Sequence, residues 1–101
     1  MAGYRYRITV EPLADKNGQP LEKPSLSFEI DNHDEILGIV ERLQGREDLA
    51  FGAGKSAAFA VGLKLFSEVM MEYRKHPLFA PLRDPFRAFM LALKKGPGDQ
   101  A

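Results

Sequence analysis

From Tyr4 to Val10 the chain alternates without a break: Tyr4, Tyr6, Ile8 and Val10 fall on one side, Arg5, Arg7 and Thr9 on the other. Successive side chains of a strand point to opposite faces, so a period of two specifies a half-buried strand. The pattern recurs in Leu26, Phe28 and Ile30 against Ser25, Ser27 and Glu29. Between the two, Asp15-Lys16-Asn17-Gly18 is turn chemistry, because Asn and Gly accept positive φ. The segments therefore form an antiparallel hairpin. Pairing Tyr6 with Ile30, Ile8 with Phe28 and Val10 with Leu26 puts every apolar side chain on one face, and a slip of one residue would undo that. Pro12 then faces Pro24; neither can donate to a ladder, so regular pairing ends there and the loop beyond is expected to be long and mobile.

The rest of the chain changes to helical spacing. Asn32 and Glu35 have the spacing of a capping box, and Ile36, Leu37, Val40 and Leu43 recur at three and four until Gly45, which predicts a helix over 33–44. A second helix is predicted over 56–75. Phe59, Leu63, Phe66, Met70 and Tyr73 form one apolar stripe, with Val61, Leu65 and Val69 beside it. The polar strip left over is narrower than half the circumference, so this helix is expected to be central and covered on more than one side. His76-Pro77 should end it, since a residue before proline is pushed out of the α region. Asp84-Pro85 then reads as an N-cap with proline at the first position of a third helix, which carries Phe86, Phe89, Met90 and Leu93 and closes on Lys94 and Lys95.

The expected fold class is therefore α+β: an N-terminal antiparallel hairpin followed by three helices, with the hairpin packed on the helices. One domain over 3–96 suits 101 residues, with 97–101 as a flexible tail. No apolar run approaches the roughly 18 residues that a membrane span requires, so no membrane association is expected. MAGYRYRITV lacks the pattern of a secretory signal, which makes the cytoplasm the expected location. The absence of cysteine removes disulfides, thiolate nucleophiles and cysteine-based zinc sites. Net charge is zero, but residues 1–50 are net negative by 4 and residues 51–101 net positive by 4. That asymmetry suits a dipolar surface or complementarity between copies; it is not the strongly basic footprint of a nucleic-acid binder.

Chemistry-bearing residues are sparse. Gly52-Ala53-Gly54-Lys55-Ser56 ends like a phosphate-binding loop, but Leu49 stands where the first glycine of that motif belongs. What remains is an anion subsite at a helix start, Gly54, Lys55 and Ser56. Asp31-Asn32-His33-Asp34 holds ligand-type residues packed consecutively at a helix start, which reads as capping; no metal and no cofactor is expected. His76 lies four residues after Glu72, in reach of a helical ion pair. Neither histidine has a nucleophile or orienting partner evident in the sequence, so no catalytic residue is assigned. The densest basic group is Arg74, Lys75, His76, Arg83 and Arg87, on either side of the 77–81 connector. Folded together, these residues would make a patch for phosphate or an acidic partner.

Four stretches carry a resemblance: YRYRITV from Tyr4, NHDEILGIVERLQG from Asn32, AFAVGLKLFSEVM from Ala58 and RKHPLFAPL from Arg74. Together they resemble a family of small bacterial proteins, domain of unknown function 3861. The resemblance spans Gly3 to Gly96 and implies a bacterial cytoplasmic protein made of this domain alone, with no catalytic motif to carry over.

A two-stranded hairpin has two open edges, and such edges are usually covered, blunted or paired. The functional expectation is therefore a non-enzymatic protein-interaction module that self-associates as a homodimer and binds a protein partner of unknown identity. The alternative is a phosphate-ligand or nucleic-acid binder using the group from Arg74 to Arg87, with nucleic acid the less expected of the two.

Overall fold

The computed structural model describes residues 3–95, so Gly96 and the expected tail over 97–101 lie outside the described residues. It has the expected α+β architecture: two antiparallel strands at the N-terminus and then three α-helices. The chain divides into two compact units, 1–35 and 36–101.

In the first unit, β1 (Tyr4–Val10) pairs with β2 (Leu26–Asn32) in the register that the alternation dictates, Tyr6 with Ile30, Ile8 with Phe28 and Val10 with Leu26. The ladder stops at Val10 and Leu26, before the two prolines. The loop beyond carries an ordered turn. The Asp15 carboxylate accepts the N–H groups of Asn17 at 2.8 Å and Gln19 at 3.0 Å, Gly18 takes φ 84°, and Ala14 bridges to Pro20. Such an Asx turn satisfies its own backbone groups locally.

β2 runs to Asn32, which pairs with Tyr4, and α1 (Ile36–Gln44) begins three residues later than the capping-box spacing predicts. The ladder claims Asn32 as a strand residue, so 33–35 must turn the chain first. The Asn32 side chain, 1% exposed, accepts the Asp34 N–H at 2.9 Å in an Asx turn, and Tyr6 Oη donates to the Glu35 carboxylate at 3.3 Å.

In the second unit, α1 packs on α2 (Ala53–Glu72). α2 begins and ends three residues earlier than expected. Its start is set by backbone: Ala50 has φ 53° and Gly52, the N-cap, φ 87°, so the left-handed break falls before the Gly-Lys-Ser string. Its end is Tyr73, which leaves the α region at φ −114°, ψ 38°. His76 is extended at ψ 134°, as a residue before proline should be, and Pro77–Leu82 form a 3₁₀ helix. That helix runs directly into α3 (Arg83–Lys95), because Arg83 is already α-helical. Asp84 thus sits inside the first turn instead of capping it, and Pro85 is tolerated there because first-turn N–H groups have no intrahelical partner.

The expectation that the second helix is covered on more than one side does not hold. Only Ser56 and Ala60 of α2 are buried, while Phe66, Val69 and Met71 are exposed. Aromatic rings link α2 to the C-terminal elements. Phe51, Phe59, Phe89, Phe86, Phe66 and Phe79 touch in that order with centroids 5.7 to 6.2 Å apart, mostly edge to face, the geometry that ring quadrupoles favour.

Candidate functional site

Within the second unit, the turn after α2, the 3₁₀ helix and the start of α3 enclose a concavity of about 350 Å³. Its walls are Met70, Met71, Phe79 and Phe86, and Arg74, Arg83 and Arg87 line it with them. Each element contributes for a local reason. Arg83, Phe86 and Arg87 share one face of α3 at spacings of three and four. Phe79 is brought in by the 3₁₀ helix, and Phe79 and Phe86 each stand 6.1 Å from the Phe66 ring. Arg83 donates from Nη2 to the Arg74 carbonyl at 2.8 Å, satisfying one backbone acceptor just beyond α2 and fixing its own guanidinium.

Of the basic group named from sequence, three arginines therefore share one concavity. Lys75 and His76 line a separate depression with Glu72, Tyr73 and Arg74. The expected Glu72–His76 helical pair is replaced, because α2 stops at Glu72. His76 instead caps the 3₁₀ helix, its Nδ1 accepting the Leu78 N–H at 3.1 Å. Gly54, Lys55 and Ser56 lie in the first turn of α2, where Ser56 N–H donates to the Gly52 carbonyl at 3.0 Å and Ser56 is 1% exposed. Lys55 is exposed.

Sequence reasoning missed Arg46. It forks onto Asp48 (Nε to Oδ1 2.9 Å, Nη2 to Oδ2 2.6 Å) and donates from Nη1 to the Leu93 carbonyl at 2.7 Å. The fork holds the Asp48 carboxyl below its ordinary value of 3.8 and raises Arg46. Arg46 also lines a second concavity of about 300 Å³, with Leu63, Met90 and Lys94 among its neighbours. Among the described residues, no group of three or more His, Cys, Asp or Glu could hold a metal ion.

In the first unit, the two faces of the hairpin differ sharply. On the polar face, Arg5 reaches Glu29 Oε1 at 3.0 Å and Asp31 Oδ1 at 3.1 Å, and Arg7 reaches Glu29 Oε2 at 2.6 Å. Hydrogen bonds from Arg7 and then Arg5 hold the Glu29 carboxyl below its ordinary value of 4.5. On the apolar face, Tyr4, Val10, Leu26 and Phe28 are 39 to 61% exposed. The sheet has two strands and hence two open edges.

No helix among the described residues is long and apolar enough to cross a membrane. No curated protein matches the chain. A crystal structure of a protein of unknown function from Pectobacterium atrosepticum SCRI1043 is similar at 45% identity, with a TM-score of 0.78, covering 92% of this chain and 98% of that one. The family model for a domain of unknown function with solved structure, DUF3861, matches residues 4–95, and the chain belongs to that family.

Proposed function

We propose that this protein is a non-enzymatic, cytoplasmic interaction module that self-associates by adding the open edge of β1 to the same edge of a second copy. The observation that carries this reading is the hairpin: two strands, an apolar face left substantially exposed, and unpaired backbone at both edges. Twofold pairing would extend it to a four-stranded antiparallel sheet, past the size at which a lone hairpin is marginal.

Charge favours β1 over β2. A twofold axis through the middle of either strand sets like charges together, Arg7 against Arg7 or Glu29 against Glu29. Shifting the axis on β1 to Ile8 keeps every side chain on its own face. It places Ile8 against Ile8, Tyr6 against Val10 and Arg7 against Thr9, and sets Arg5 against Glu11 of the second copy. The equivalent shift on β2, to Phe28, creates no opposite-charge pair. Cross-strand apolar and opposite-charge pairs each stabilise a sheet by about 0.2–1 kcal/mol.

Light scattering at micromolar concentration tests the reading, with a dimer expected and a monomer overturning it. Glu11→Arg faces Arg5 with a like charge and should weaken the dimer severalfold, more so at low salt. An unchanged dimer would place the interface elsewhere.

A further inference from the structure

The concavity after α2 joins two kinds of side chain that a single ligand could serve together. Its lining combines the apolar side chains of Met70, Met71, Phe79 and Phe86 with three arginines, Arg74, Arg83 and Arg87. Among the described residues no carboxylate pairs with Arg74, Arg83 or Arg87, whereas Arg5, Arg7 and Arg46 are each held by one. Three arginines around one concavity give it a positive field that an anion would complement. Arg83 spends one of its five donors on the Arg74 carbonyl, which leaves the rest of its fork for a ligand. The volume, about 350 Å³, lies at the lower end of the range for small-molecule sites. The second concavity also carries basic residues, Arg42, Lys64 and Lys94, but its Arg46 is committed to Asp48 and Leu93 and no phenylalanine lines it.

We propose that the concavity between Met70, Phe79 and Phe86 binds a small amphiphilic anion, its acidic head held by Arg74, Arg83 and Arg87 and its apolar body on the methionine and phenylalanine walls. Both halves are required. A bare anion leaves the walls wet, and an uncharged hydrophobe leaves the arginines uncompensated.

Octanoate is a suitable probe, followed by calorimetry and by the methyl signals of methionines 70, 71 and 90. Saturable binding of one octanoate per chain is expected, shifting Met70 and Met71 and leaving Met90, which lines the second concavity, in place. Octanol and inorganic phosphate should each bind at least about tenfold more weakly, since each lacks one half of the recognition. Arg74→Gln and Arg87→Gln should each weaken octanoate by about tenfold while helicity is unchanged. Octanol or phosphate binding as well as octanoate would overturn the proposal, as would shifts confined to Met90. If a variant loses helicity, the methyl shifts of the unaltered protein decide alone. Because both readouts work on a monomer, they stand or fall independently of the dimer.

Discussion

Arg46 Nη1 donates to the carbonyl oxygen of Leu93 at 2.7 Å, which ties the loop after α1 to the last turn of α3. Leu93 is one of the four C-terminal carbonyls that a helix cannot satisfy internally, and a cation there also suits the helix dipole. The same guanidinium is held from behind by Asp48. The planar guanidinium meets the carboxylate with two parallel bonds and still reaches the carbonyl; a lysine ammonium has no such fork. Arg46→Lys should lower the melting temperature by a few degrees, and Asp48→Asn should do so less. Differential scanning calorimetry of the pair checks the order, which would reverse if the carboxylate contact mattered more than the helix cap.

Two glycines of the second unit should respond in opposite directions. Gly62 lies inside α2 and an added Cβ there would meet nothing within 4 Å, so Gly62→Ala removes unfolded-state entropy at no steric cost. It should stabilise by about 0.5–1 kcal/mol. Gly52 also has open space around it but sits at φ 87°, so Gly52→Ala should destabilise by about 1 kcal/mol through backbone strain alone. Urea denaturation of both variants measures the contrast.

The hairpin should weaken in acid. Glu29 has a folded-state carboxyl below its ordinary value of 4.5, so the unfolded chain binds its proton more readily. Its contribution is complete above 4.5 and is lost as pH falls through the depressed folded value. Asp48 acts in the same sense from 3.8 downward. Both pairs are reached by solvent, so the effect is modest and shrinks in salt. Glu29→Gln should flatten the acid limb of a stability–pH profile; an unchanged slope would remove Glu29 from the account.

The register of β1 and β2 was legible because three local signals agree on it: the period of two, the Asp15–Gly18 turn and the prolines at 12 and 24. The ends of α1 at Gln44 and α3 at Lys95 fall where the sequence puts them. The start of α1 and both ends of α2 were less legible, shifted by backbone events that apolar spacing does not encode. Ala50 and Gly52 at positive φ pull the start of α2 forward, Tyr73 stops it early, and pairing of Asn32 with Tyr4 delays α1. The basic group was visible as composition. Its division was not, because only the stop at Glu72 and the 3₁₀ helix decide that Arg74, Arg83 and Arg87 share a concavity while Lys75 and His76 line another surface. Arg46 escaped notice because its acceptor, Leu93, is 47 residues away and is a backbone carbonyl.

The phenylalanine series sets a gradient of mutational tolerance across the second unit. Six of the seven phenylalanines in the chain belong to it, each interior ring touching two others and each terminal ring one. Replacement at Phe51 severs a single ring contact. Replacement at Phe66 or Phe86 severs two and leaves Phe59 against Phe89 as the ring contact between α2 and α3. Variation among relatives should therefore gather at Phe51, while Phe79, a wall of the concavity, answers to whatever that concavity holds.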